Sequence, residues 1–149
     1  MKIQFELQFF DKLSPHQLYA ILQLRNEVFV VEQNCVFQDA DDKDQQCYHL
    51  MAWRNNKLVA YTRLVPPGVI YKQASIGRVV TSPQIRGENA GREIMKKSIE
   101  MIVDLYGNVE IKIGAQKYLK QFYESFGFKQ VSDVYLEDGI EHIHMIRGV

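Results

Sequence analysis

Apolar and polar residues alternate from the start of the chain, with Ile3, Phe5, Leu7 and Phe9 in phase, which predicts a half-buried strand over Lys2 to Phe10. The period then changes. Ser14-Pro15-His16-Gln17 offers a serine cap, a proline in the first turn and a glutamine placed to close a capping box. Leu18, Ile21, Leu22, Val28 and Phe29 follow on one helical face, and Arg25 falls in phase with them. A charge at that position needs a partner or a cleft. Cys47 to Arg54 and Lys57 to Val65 read as strands joined at Asn55-Asn56, and Gln73 to Ser82 as a further strand closed by Pro83. After Gly91, the residues Met95, Ile99, Ile102, Val103 and Tyr106 form one apolar stripe that stops at Gly107-Asn108. Val109 to Gly114 predicts a short buried strand. Ala115 to Phe126 predicts a helix with Leu119, Phe122, Tyr123 and Phe126 on one face and Gly127 at its end. Phe128 to Leu136 and Ile140 to Arg147 predict a closing hairpin around Asp138-Gly139.

The order β-α-β-β-β-α-β-α-β-β predicts an α+β domain, with helices flanking a mixed, mostly antiparallel central sheet of about seven strands. A chain of 149 residues is expected to form a single domain over 1–149. Lys+Arg and Asp+Glu both number 18, so no basic excess exists to hold a nucleic-acid backbone. No apolar run approaches the roughly 20 residues of a membrane span, and the N-terminus is unlike a signal peptide. Cys35 and Cys47 are therefore expected as reduced thiols in a cytoplasmic protein, with no thiol relay. The acidic run Asp39, Asp41, Asp42, Asp44 has Lys43 where a calcium loop needs a ligand and no glycine after it, so calcium is rejected. The run is left as a solvated loop, a partner for Arg25, or a receiver for a cationic amine.

Ser75 to Arg92 carries the chemistry. A strand ends at Pro83 and a loop, Gln84-Ile85-Arg86-Gly87-Glu88-Asn89-Ala90-Gly91, leads into a long amphipathic helix. Such a helix start aims unpaired N–H groups and a positive dipole end at the loop, small residues let a pyrophosphate approach, and Arg86 and Arg92 add positive charge. The loop has neither a P-loop ending nor the dinucleotide glycine spacing.

With VTSPQIRGENAGR and the later FYESFGF, this order of elements resembles the GNAT acyl-CoA N-acyltransferase superfamily over nearly the whole chain. LRNEVFVVEQNCVFQDADDKD, IGAQKYLKQFYESFGF and EDGIEHIHM resemble its ElaA-type subfamily in particular. The resemblance implies the GNAT fold and an N-acetyltransferase that uses acetyl-CoA as acyl-donor cosubstrate, with no metal. The family's pyrophosphate loop, Arg-x-x-Gly-x-Gly/Ala, falls on Arg86, Gly87, Glu88, Asn89, Ala90 and Gly91. Asn89 stands where the first glycine is usual, and asparagine tolerates a positive φ better than most residues. Arg92, Gln116 and the backbone of Val79, Val80 and Thr81 complete the implied cofactor-binding set, with an N–H for the oxyanion.

Tyr123 falls where the family places its general acid, as a phenol that is protonated at neutral pH and able to donate to a leaving thiolate. Arg25, Phe29, Asp41, His49 and His142 are acceptor-side candidates. No base is assigned among His49, Glu27, Glu32, Asp41, Asp44 and His142. Arg25 and Phe29 with the spaced aspartates also resemble acyl-homoserine-lactone synthases, although Trp53 comes too late for that family's tryptophan. A third reading is a non-catalytic acyl-CoA-binding regulatory module. The acceptor is a small-molecule or peptide amine, and a free sheet edge near the C-terminal hairpin could pair two copies into a homodimer.

Overall fold

The computed structural model describes residues 2–149. In chain order its main elements are β1 (Gln4–Phe9), α1 (Pro15–Arg25), β2 (Tyr48–Arg54), β3 (Lys57–Val65), β4 (Ser75–Thr81), α2 (Ala90–Tyr106), β5 (Ile111–Gln116), α3 (Lys120–Glu124), β6 (Phe128–Gln130), β7 (Tyr135–Glu137) and β8 (Ile140–Arg147). No helix among the described residues is long and apolar enough to cross a membrane.

The capping box forms as the residues foretell. Gln17 N–H donates to Ser14 Oγ at 3.1 Å and Ser14 N–H donates to Gln17 Oε1 at 2.9 Å. Beyond Arg25 the helix does not stop near Phe29. Its turns widen over Asn26–Glu32, where Gln33 N–H reaches back to Val28 O and Cys35 N–H to Val30 O, both at 3.1 Å. The wider turns change the phase of the face. Ile21, Leu24 and Val28 still pack on the sheet, against Met51, Leu58, Tyr61 and Val80, while Phe29 and Glu32 turn toward a cleft.

The sheet is split. β1-β2-β3-β4 make one antiparallel sheet, with α1 on one face and α2 on the other, where Ile94 meets Leu50, Ala52 and Ala60. β5, β8 and β6 make the second, and β7 also pairs with β8. Ile113, Ala115, Ile143 and Met145 turn their side chains to Met95, Ile99 and Ile102 of α2 and to Tyr123. The α+β class stands, with eight strands in two sheets where about seven in one were expected.

The extra strand comes from a break in the expected Phe128–Leu136 strand. Phe128 lies opposite Arg147 and Gln130 opposite Met145, but Tyr135 lies opposite His142, so the register slips by two residues. Ser132 fills the gap: its Oγ accepts the His144 N–H at 2.8 Å, in place of a backbone carbonyl. The expected Ala115–Phe126 helix also starts late. Ala115 and Gln116 stay in β5 because they pair with Ile143 and His142, and Lys117–Leu119 form a 3-10 turn before α3.

β4 and β5 touch at a parallel bridge, Ala74 to Ile111, where Lys112 N–H donates to Ala74 O at 2.9 Å. From there the two strands diverge. β4 also bulges: Arg63 lies opposite Gly77 but Tyr61 opposite Val80, and Arg78 takes φ +49°. A non-glycine residue in that region costs about 1 kcal/mol or more and is tolerated only where its surroundings hold it.

Candidate active site

The divergence of β4 and β5 opens a cleft of about 620 Å³. It is lined along β4 by Val79, Val80 and Thr81 and along β5 by Gly114 and Gln116. Diverging strands leave main-chain N–H and C=O groups on both rims without a neighbouring strand, so an elongated ligand can bond to backbone there. Arg86, Gly91, Tyr123, Phe29 and His142 also line it. β4, β5, the loop into α2, α3, the widened helix and β8 thus meet around one gap.

At one end stands the start of α2. Asn89 precedes it at φ 67°, in the left-handed region, with no side chain capping the helix. Gly87 has φ +85°, and a Cβ there would meet nothing within 4 Å. The N–H groups of Ala90, Gly91 and Arg92 have no intrahelical acceptor, so the terminus can take an anion. A Cβ on Gly91 would come 3.9 Å from Phe122 Cζ, ordinary contact. The loop is open where a diphosphate would lie.

The charged side chains of this loop are already engaged. Arg86 donates through both Nη atoms to Glu32, at 2.6 Å each. Hydrogen bonding to that guanidinium lowers the Glu32 pKa. Glu88 is paired with Arg54 at 2.8 Å, and its N–H donates to Ile85 O. Arg92 bonds Ser125 Oγ at 3.1 Å and lies 4.8 Å from the centre of the Phe126 ring. Ala90 is buried under the loop.

Tyr123 also lines the cleft, from α3, 7% exposed and edge-on to Phe122 and Phe128. Burial pushes its pKa up to about 12, so the phenol keeps its proton through neutral pH. A buried ring with its edge on the cleft can act as a proton donor.

Two acceptor-side candidates, Arg25 and His49, are buried away from the cleft lining. Arg25 is fully buried, donating to Asp39 Oδ2 at 2.7 Å, Asp44 Oδ1 at 2.9 Å and Asp39 O at 3.2 Å. It does not line the cleft. His49 is fully buried as well. Its Nε2 lies 2.9 Å from Asp44 O, which can only accept, so that nitrogen carries the proton and Nδ1 accepts from Tyr61 Oη at 2.6 Å. Burial lowers the His49 pKa and keeps the ring neutral. Asp41 lies outside the cleft lining too, held by Arg63 at 2.7 and 2.9 Å. Of the open readings of the acidic run, pairing with Arg25 is what Asp39 and Asp44 do.

These aspartates, with Arg25, Arg63 and Arg78, clamp the loop after the widened helix against the sheet. Arg78 donates to Asp39 O at 2.8 Å, and its guanidinium lies 6.0 Å from the Phe37 ring centre. Phe37, Arg78 and Glu137 line the cleft without having been singled out from the sequence. Nothing local marks them: Arg78 reaches the gap through a bulge, and Glu137 through the slipped register of β7.

Residues 11–147 match the family model described as acetyltransferase (GNAT) domain. Protein ElaA of Escherichia coli (strain K12) is 45% identical over 141 residues, covering 93% of this chain and 92% of that protein. The crystal structure of an acyl-CoA N-acyltransferase from Pseudomonas aeruginosa superposes with a TM-score of 0.95 at 40% identity, over 99% of this chain and 100% of that one. A GNAT family acetyltransferase from Elizabethkingia anophelis, solved with acetyl-CoA bound, shares the fold at 14% identity, with a TM-score of 0.65 over 99% and 98% of the two chains.

Proposed function

The chain belongs to the GNAT acetyltransferase family and is an acyltransferase, and from that premise we propose that it moves an acetyl group from acetyl-CoA directly onto a primary amine of a small molecule or peptide. One observation carries the reading: a single cleft is lined both by an anion-receiving helix start and by a buried, protonated phenol among apolar side chains. Acetyl-CoA, as seen bound to the Elizabethkingia relative, has a charged diphosphate and an apolar thioester arm, which suits that polarity.

In this reading the N–H groups of Asn89, Ala90 and Gly91 receive the diphosphate, and Arg86 exchanges Glu32 for it. The open rims of Val79, Val80, Thr81 and Gln116 align the pantetheine arm and direct an N–H at the thioester oxygen. Tyr123 donates its proton to the departing sulfur. Phe29 and Phe37 wall the side from which the amine enters. Binding both substrates in one gap makes the attack effectively unimolecular.

The test is thiol release from acetyl-CoA across a panel of amines. Amine-dependent release with a stoichiometric acetylated amine supports transfer. Acetyl-CoA binding without release for any amine would make the chain a sensor of acyl-CoA. Consumption of S-adenosylmethionine with an acyl-carrier protein would make it a lactone synthase.

A further inference from the structure

We propose that His142 is the general base that takes the acceptor amine's proton, with Glu137 as the carboxylate that balances its charge. The proposal rests on the acetyl-transfer reading of the cleft.

In the β5–β8 ladder His142 lies opposite Gln116, and its neighbour Ile143 points into the core. Side chains alternate along a strand, so His142 points the other way, onto the cleft. It is 7% exposed and lines the gap that Tyr123 also lines. Its Nδ1 lies 2.7 Å from Ile140 O. A carbonyl only accepts, so Nδ1 carries the proton in the neutral ring and Nε2 keeps a free lone pair. Nε2 is 3.6 Å from Glu137 Oε2, beyond hydrogen-bond reach but within the distance of a charge pair. The Tyr135 ring stacks on the imidazole at 5.9 Å. Tautomer, orientation and counter-charge are thus all fixed around one lone pair.

The other titratable groups suit the task less well. Glu32 is held by two bonds from Arg86, Asp41 and Asp44 are held by arginines, and His49 has both nitrogens occupied. The Glu137 side chain is 59% exposed, so solvent competes for its oxygens.

The proton count balances. The ammonium gives one proton to His142 Nε2, which passes it to solvent. The nitrogen then attacks the acetyl carbon, the C–N bond forms, and the C–S bond breaks with its electron pair on sulfur. That sulfur takes the Tyr123 proton, and the nitrogen's second proton replaces it on the phenol by way of solvent. One proton is released per turnover.

The experiment compares His142→Gln with the unaltered protein, using an alkyl amine, protonated at neutral pH, and hydroxylamine, which is not. With the alkyl amine, kcat/KM is expected to fall about 10²- to 10⁴-fold. With hydroxylamine the loss shrinks to less than about tenfold, because no proton need be removed before attack. Raising the pH by about two units narrows the alkyl-amine deficit, since solvent then supplies the free amine. The titratable groups around the ring that the profile must be read against are Tyr135 and Glu137 of β7, His144 of β8, and Cys35 and Asp138 at the cleft end. Acetyl-CoA affinity by calorimetry stays within about two-fold.

Glu137→Gln, at an exposed position, serves if His142→Gln fails to fold. It loses about three- to tenfold with the alkyl amine and nothing with hydroxylamine. Equal losses with both amines, or no loss, overturn the base while leaving acetyl transfer intact. If the unaltered protein shows no amine-dependent thiol release at all, the transfer reading falls and the base falls with it.

Discussion

Arg25→Met keeps the length of the side chain and removes its charge from a site with no solvent access. Three bonds are lost, to Asp39 Oδ2, Asp44 Oδ1 and Asp39 O. Removing one partner of a buried pair costs about 3–5 kcal/mol, because a carboxylate is left buried without its charge. Here neither aspartate is abandoned. Arg63 still donates to Asp44 at 2.8 Å and Arg78 Nε stays 2.8 Å from Asp39 Oδ1, a contact short in distance though poorly aligned for a hydrogen bond. The low end, about 3 kcal/mol, is therefore expected. For a chain of this size that is a fall in Tm of about 6–12 °C. Scanning calorimetry at neutral pH measures it, and kcat at a temperature well below the new Tm should change by less than about threefold. A variant with the original Tm and no turnover would show that Arg25 acts on a substrate and would refute the network reading.

Gly91→Val is expected to fold normally, because a Cβ there meets only Phe122 at 3.9 Å, yet to raise the acetyl-CoA KM about 10- to 100-fold by blocking charge-assisted bonds to the helix start; a folded variant with unchanged KM would move the diphosphate elsewhere. Glu32→Gln frees Arg86 from its counter-ion and should tighten acetyl-CoA binding by roughly two- to fivefold in calorimetry; weaker binding would mean that Glu32 organises the loop instead of competing in it. Burial alone would raise the Asp41 pKa, but bonds and charge from Arg63 and Arg78 outweigh it and bring the group from 3.8 to about 2. The native state's preference for the ionised carboxyl therefore stabilises it fully above about pH 4 and is lost as pH falls toward about 2, so Tm should drop through that window and drop less steeply in Asp41→Asn.

What could be read from the residues was local and periodic. Ser14 and Gln17 declare the start of α1 because a capping box is a four-residue event, and the α2 stripe from Met95 to Ile102 names the face that reaches the core. Asn89 could be flagged for a positive φ because only a few residue types tolerate one. What could not be read depends on partners distant in sequence. Phase alone leaves Arg25 in need of either a partner or a cleft, and only the fold brings Asp39 and Asp44 to it across 14 and 19 residues. The widened turns over Asn26–Glu32, the bulge at Arg78 and the two-residue slip at Ser132 leave no pattern in the apolar positions, yet they aim Glu32, Arg78 and Glu137 into the cleft. The loop at the start of α2 is contiguous and could be picked out as a candidate anion site. The rest of the cleft lining could not, because much of it is assembled from irregularities.

The most direct test is kcat for Tyr123→Phe at saturating acetyl-CoA and amine. The substitution removes a single oxygen from a ring that stays packed against Phe122 and Phe128. If the phenol donates its proton to the leaving sulfur, kcat falls about 10²- to 10⁴-fold while the acetyl-CoA KM moves by less than about threefold. An unchanged kcat would contradict the account and take Tyr123 out of the chemistry.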